Sequence, residues 1–144
     1  MEQHGYQIIK GDLFSTEEYF SLAHCVSKDL AMGKGIAKEF KKRFGGVSLL
    51  KKQNPEIGSV VYLQTPTRFI FYLVTKNRYS DRPTYESLTE SLQSMKSVCL
   101  SNNIHHLSLP KLGCGLDELS WDQVLPLIQE VFPVDTFQIK IYTL

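Results

Sequence analysis

Two rhythms of apolar residues take turns along this chain, an every-second-residue or continuous run and a three-and-four-residue beat, so strands and helices should alternate from end to end. Tyr6 to Lys10 reads as a short strand stopped by Gly11-Asp12, and Phe20 to Cys25 as a second strand. Ile36, Phe40 and Phe44, four residues apart, predict a helix to about Phe44 that Gly45-Gly46 ends. A shorter helix from Val47 to Gln53 follows, before Asn54-Pro55. Ser59 to Thr65 and Arg68 to Thr75, rich in Val, Ile, Tyr and Phe and parted by Pro66-Thr67, form a hairpin or a tightly connected pair. Tyr85, Leu88, Leu92, Met95 and Cys99 mark a long helix with one buried face and Thr84 as its N-cap.

After a strand at Leu107 to Pro110, Ser120 and Gln123 offer a capping box, and Leu119 with Val124 a hydrophobic staple. Pro126 conflicts with that start. In a helix interior its ring and missing N–H cost about 3 kcal/mol, so the turn at Trp121 should be irregular and the regular helix should begin near Val124. The last strand, Thr136 to Tyr142, puts Phe137, Ile139 and Ile141 on one side. The expected architecture is α/β: a three-layer α/β/α domain with a mixed, mostly parallel central sheet, spanning residues 1–144 with residues 1–5 a flexible lead.

Composition narrows the function classes. At 144 residues the chain is one domain, and a formal net charge of +1 gives no global field for nucleic acid or membrane. The positive residues are local: Lys34, Lys38, Lys41, Lys42, Arg43, Lys51 and Lys52 form either a solvated helix face or a contact for phosphate or an acidic protein. Met1 to Gly5 is short and polar and no apolar run nears the roughly 18 residues of a spanning helix, so no signal peptide, membrane anchor or membrane partner is expected. Three cysteines without CxxC spacing suit free thiols in a reducing compartment, the nucleus and cytoplasm. His105 and His106, entering a strand, face opposite ways and cannot chelate as a pair, so no metal is expected.

The chemistry concentrates in two glycine loops. Gly113-Cys114-Gly115-Leu116-Asp117 runs out of the Leu107 to Pro110 strand, and glycines two apart let backbone N–H groups converge on an anion. Met32-Gly33-Lys34-Gly35-Ile36 opens a helix, whose first N–H groups lack intrahelical partners and whose dipole adds positive potential. Together the loops could clamp a diphosphate. Their spacing is neither GxGxxG nor a loop ending in GK[ST], which implies a different nucleotide site. Asp117 would repel a phosphate, so a carboxylate there suggests chemistry or a sugar hydroxyl. Cys114 invites a thiol nucleophile acidified by the N–H groups, but no His partner accompanies it, and His24 and Cys25 face opposite ways. Because ligands sit beyond the C-terminal ends of strands in such sheets, Gly11-Asp12, Ser27 to Gly35, Lys76 and Gly113 to Asp117 should meet at one edge.

Gly11-Asp12-Leu13-Phe14, Leu22-Ala23-His24-Cys25, Met32 to Ala37, Val74-Thr75-Lys76, Arg82-Pro83-Thr84-Tyr85 and Leu109 to Asp117 together resemble a macrodomain, and more narrowly the terminal ADP-ribose protein glycohydrolase subgroup. The resemblance runs from Tyr6 to Leu144. It departs from many catalytic macrodomains in having Ser27-Lys28-Asp29-Leu30 where they carry an Asn-Ala-Ala-Asn type stretch. It implies removal of mono-ADP-ribose from glutamate or aspartate of modified proteins and deacylation of O-acyl-ADP-ribose, with no cofactor. Lys76 would attack the distal ribose, with Arg78 a neighbouring cation, and Asp117 would act as acid and base. It further implies an ADP-ribose site at Gly11, Asp12, Leu13, Phe14, His24, Ser27, Met32, Gly33, Gly35, Ile36, Pro110, Leu112, Gly113, Cys114, Gly115, Leu116, Tyr142 and Leu144. By residue type alone Asp12 is a turn-former; in the family it binds adenine. Phe14 is either core or adenine pocket, and Tyr142 a possible stacking residue. The implied partners are ADP-ribose, ADP-ribosylated proteins and ADP-ribosylated nucleic acid or poly(ADP-ribose), for a monomeric protein. The rival readings are an ADP-ribose-binding reader without turnover and a phosphatase of ADP-ribose 1″-phosphate.

Overall fold

Each predicted strand pairs in one sheet in the computed structural model, which describes residues 5–144. The strands are β1 (Gly5–Lys10), β2 (Ser21–Ser27), β3 (Val60–Gln64), β4 (Phe69–Lys76), β5 (His106–Leu109) and β6 (Gln138–Thr143). The helices are α1 (Gly35–Phe44), α2 (Val47–Lys51), α3 (Tyr85–Ser101) and α4 (Trp121–Val131), with a single 3₁₀ turn at Leu13–Ser15. Residues 1–4 of the expected flexible lead lie outside the described residues, whereas Gly5 is already paired with Gln138 in β1.

The strand order is β1-β6-β5-β2-β4-β3, all parallel except the β3–β4 hairpin, so the sheet is mixed and mostly parallel as expected. From β2 the chain leaves through α1 toward β4 and β3; from β5 it leaves through α4 toward β6 and β1. The connections diverge between β2 and β5, which opens a crevice beyond their C-terminal ends.

Alternation within the strands feeds two cores. Ala23, Phe71, Leu73, Leu107, Leu109, Ile139 and Ile141 face α3 and α4, which contribute Leu88, Leu92, Met95, Cys99, Val124 and Ile128. Leu22, Val26, Ile70, Tyr72 and Val74 face the other way, toward Leu13, Phe40 of α1 and Leu50 of α2. Three layers result. The stripe of α3 is buried as its spacing predicted, and Thr84 caps it: its hydroxyl accepts from the Ser87 N–H at 2.9 Å while the Thr84 N–H donates to the Ser87 hydroxyl at 3.0 Å.

The start of α4 departs from expectation. Ser120 makes no side-chain cap, and the regular helix begins at Trp121 and carries Pro126 inside it. Pro126 lies on the exposed face of α4, and Asp122, whose carbonyl loses its N–H partner, is exposed too. Water can reach that carbonyl, so the interruption costs less than it would against the core.

His24 sits wholly inside the second core, stacked on Phe40 at 3.8 Å and edge-on to Tyr72. Among the described residues its ring nitrogens have no hydrogen-bond partner, and burial pushes the imidazole down to about 3 against a small opposing pull from the Cys25 backbone. A folded value below the unfolded one means that the unfolded chain alone takes up the proton below pH 6.5. Stability is therefore full above that pH and falls by about 1.4 kcal/mol per unit as the pH drops toward 3. Between pH 7.5 and 5.0, native protein is expected to lose about 2 kcal/mol more than His24→Phe, read as the difference in urea midpoints. Equal losses would show that His24 is not the acid-sensitive group.

Candidate functional site

Because five strands are parallel, their C-terminal ends share one edge, and the predicted site residues gather there by topology. Gly11 to Phe14 follow β1, Ser27 to Ile36 run from the end of β2 into α1, Lys76 ends β4, Pro110 to Asp117 follow β5, and Tyr142 and Leu144 close the chain at β6. His24, three residues back inside β2, is not on this edge and presents no surface.

The two glycine loops meet. Gly35 adopts φ +60° at the first turn of α1, and a Cβ placed on it would lie 3.3 Å from the Leu116 methyl, so the loops approach about as closely as a glycine permits. Gly113, at φ +71°, turns the β5 loop so tightly that a Cβ would strike Leu119 at 2.7 Å. The N–H of Leu119 closes this loop on the Gly113 carbonyl at 2.7 Å and that of Glu118 on Gly115 at 3.1 Å. Among the described residues, no backbone carbonyl accepts from the N–H groups of Gly115, Leu116 and Asp117, and α1 begins at Lys34 without a side-chain cap. Two sets of unengaged N–H groups thus border the crevice between β2 and β5, which is the donor geometry a diphosphate requires.

Beside it, Lys76 Nζ donates to Asp117 Oδ1 at 2.6 Å and to the Tyr79 carbonyl at 3.2 Å. Their side chains are only 12% and 17% exposed, so solvent screens this pair far less than the surface pairs of the molecule. Arg78 is exposed, with its backbone N–H bound to Asp81 at 3.1 Å. The Cys114 thiol donates to the Leu112 carbonyl at 3.3 Å, and burial raises it above the usual thiol range, with Lys111 opposing. The acidified thiol that the loop invited is therefore not there: the loop buries the sulfur more than its surroundings favour the thiolate. Cys25, on the opposite face of β2 from His24, is raised further by burial.

At the β1 end, the Asp12 carboxylate accepts from the Phe14 N–H at 3.0 Å, which makes it the cap of the 3₁₀ turn, and it remains exposed. Phe14 packs edge-on against Phe40 at 4.9 Å beneath the Arg43 guanidinium. Leu13, Leu112 and Met32 are buried, which leaves their backbones rather than their side chains at the crevice.

Asp29 was named from the sequence only as part of the Ser27 to Leu30 stretch and was given no role, yet it ties the site's loops together. Its carboxylate accepts from the Ser27 hydroxyl, from the Ala31 N–H at 3.1 Å, and from the Tyr79 N–H at 3.1 Å across in the segment after β4. Burial opposes its ionisation, but these donors and the charge of Lys76 outweigh that and hold its carboxyl below the usual carboxylate range. The loop it pins carries Leu30 and Met32 at φ +54° and +46°, a backbone that side chains adopt only when held. The sequence signal was an Asx turn, an aspartate accepting from the N–H two residues on.

The macro domain family matches residues 23–128 of the chain. The chain is 51% identical over 136 residues to the human protein named ADP-ribose glycohydrolase OARD1, covering 94% of this chain and 90% of that one. Its fold superposes on the macrodomain of Thermus aquaticus DarG with a TM-score of 0.86 at 24% identity, covering 97% of this chain and 99% of that one. The TM-score is 0.82 at 23% identity for Thermosipho africanus DarTG in complex with ADP-ribose, covering 95% of this chain and 41% of that one.

Proposed function

The chain belongs to the macrodomain family, and from that premise we propose that it is an ADP-ribose glycohydrolase that releases mono-ADP-ribose from glutamate or aspartate of modified proteins and deacylates O-acyl-ADP-ribose. The observation that carries the reading is the Lys76 Nζ to Asp117 Oδ1 contact of 2.6 Å, largely enclosed beside the paired glycine loops. A reader needs donors for the diphosphate and a slot for the base. It has no use for an amine and a carboxylate in proton-transfer contact next to the place where the distal ribose would lie.

The diphosphate lies across the N–H groups of the two loops, with the adenosine toward Asp12 and Phe14. The reaction is then a displacement at the anomeric carbon. Asp117 takes a proton from the Lys76 ammonium, the freed lone pair forms the C–N bond, and the C–O bond breaks with its pair going to the departing carboxylate. Asp117 returns the proton to the ring oxygen and takes one from the new secondary ammonium, so that the freed nitrogen lone pair closes the C=N bond of a protonated imine as the ring C–O bond breaks with its pair going to the oxygen. Water adds to that imine, Lys76 leaves as the amine, and the aldehyde recloses as ADP-ribose.

The test is capture of the adduct. Reduction during turnover should leave the mass of ADP-ribose on Lys76, located by peptide mapping, and leave Lys76→Arg unlabelled. Turnover without a trapped adduct would remove the covalent scheme, and binding without turnover would favour a reader.

A further inference from the structure

Lys76 is held at both ends, and the stretch that follows β2 has a hand in each. The strand register slips between Val26 and Ser27, so that Ser27 pairs with Lys76, and the Lys28 N–H then donates to the Lys76 carbonyl at 2.8 Å. That fixes the backbone of the lysine and leaves a flexible stem to be fixed at its tip. There Nζ donates to the Tyr79 carbonyl at 3.2 Å as well as to Asp117 Oδ1 at 2.6 Å, so two of the three N–H directions of the ammonium are taken.

Tyr79 stands in a turn closed on itself. The Asp81 N–H donates to the Arg78 carbonyl at 2.9 Å and the Arg78 N–H to Asp81 Oδ2 at 3.1 Å, and neither bond reaches the rest of the protein. The Tyr79 ring, 68% exposed, gives the turn little packing. Its N–H does reach out, to Asp29 Oδ2 at 3.1 Å. Asp29 is itself exposed, and donors rather than enclosure fix its carboxylate: the other oxygen, Oδ1, accepts from the Ser27 hydroxyl and from the Ala31 N–H at 3.1 Å. Because Ser27 is buried at the end of β2, one oxygen of Asp29 is anchored to the sheet while the second holds the turn.

We propose that Asp29 is a positioning residue for the reaction, setting the Lys76 amine by holding the Tyr79 peptide whose carbonyl binds it. The inference rests on the glycohydrolase reading above and adds to it the group that aims the nucleophile. A peptide carbonyl accepts and cannot donate, so in the neutral amine the Tyr79 oxygen keeps an N–H and the lone pair is excluded from that side. One unproductive orientation is thereby removed before the sugar arrives, and the attacking atom is held in place rather than carried on a mobile stem. Without the tie to Asp29, the turn is free to take the carbonyl away from Nζ.

Two substitutions cut this tie from opposite ends. In Asp29→Asn the amide has one accepting oxygen; with that oxygen kept on Ser27 and Ala31, Nδ2 meets the Tyr79 N–H donor against donor. Tyr79 is the second residue of its turn, where proline is favoured, so Tyr79→Pro loses the N–H and keeps the carbonyl, with Tyr79→Ala as the reference for loss of the ring. The experiment measures single-turnover release from glutamate-linked, mono-ADP-ribosylated protein for the native chain, Lys76→Ala, these three variants, and Asp29→Asn combined with Tyr79→Pro or with Tyr79→Ala. The Kd for free ADP-ribose and the urea midpoint are measured alongside. Asp29→Asn should slow release by about tenfold to a hundredfold with ADP-ribose affinity unchanged, and Tyr79→Pro should be slower than Tyr79→Ala by a similar factor. In the Asp29→Asn background, proline and alanine at position 79 should release at the same rate, because the bond that distinguishes them is already gone. A merely structural role would lower affinity and urea midpoint together and leave the two losses additive. If Lys76→Ala is inactive while Asp29→Asn and Tyr79→Pro keep the native rate, or slow it additively, the positioning assignment is wrong and the glycohydrolase reading stands. If the native chain does not turn over this substrate, that reading fails and takes this inference with it.

Discussion

Lys76→Ala is expected to lower single-turnover release of ADP-ribose from a glutamate-linked, mono-ADP-ribosylated protein by on the order of 10⁴-fold or more, while the Kd for free ADP-ribose changes no more than a few-fold. The asymmetry follows from the geometry. The donors placed for the diphosphate are backbone N–H groups of the loops around Gly35 and Gly115, which the substitution does not touch, whereas the amine at 2.6 Å from Asp117 is the only group proposed to bond to the sugar. Lys76→Arg makes the test sharper. A guanidinium keeps the positive charge and can still pair with Asp117, but it does not give up its proton and so offers no lone pair. If charge alone were needed, Lys76→Arg would retain activity; with Lys76 as nucleophile, it is as inactive as the alanine variant.

Asp117→Asn is expected to reduce the rate by about 10²- to 10⁴-fold with ADP-ribose affinity again nearly unchanged, because the amide keeps the size of the carboxylate and loses its capacity to accept and return a proton. The loss should fall on kcat rather than KM, since the proton moves only after the sugar is in place. Weakened binding with an intact chemical step would instead mean that Asp117 holds a ribose hydroxyl.

Much of this architecture was legible in the order of residues, and the reasons are local. The Tyr85 to Cys99 stripe and the alternation of Phe137, Ile139 and Ile141 each record which face meets the core, and both are buried as expected. Thr84 was readable as a cap because capping is settled within four residues. Ser120 was misread for a complementary reason: the same residue pattern can cap a helix or leave the chore to the loop, and here the Ser120 N–H donates to the Tyr85 hydroxyl at 3.0 Å, a partner from a different helix. Pro126 looked prohibitive because its cost depends on whether the orphaned carbonyl is wet, which only the packed structure decides.

The site divides in the same way. The two glycine loops announced themselves through spacing. Lys76, between Thr75 and Asn77, carries no motif, and its partner lies 41 residues on, so that pair was indicated by family resemblance rather than by local pattern. The tie that Asp29 makes was invisible because it reaches another loop, at Tyr79. His24 shows the reverse: it lay in a stretch that the resemblance assigned to the ligand, and the sheet turned it inward onto Phe40.

Lys76 closes β4 and Asp117 follows β5, yet these strands never touch; β2 stands between them, meeting β4 at Leu22–Ile70 and β5 at Ser21–Leu107. The amine and the carboxylate therefore owe their contact to a strand that supplies neither of them and that must first be threaded between two segments far away in the chain. Closing such distant pairings costs entropy before any contact repays it, so helices and the β3–β4 hairpin can form ahead of the Lys76–Asp117 contact. On the proposed mechanism, competence therefore waits on the closing of the middle of the sheet rather than on either strand that carries a reacting group.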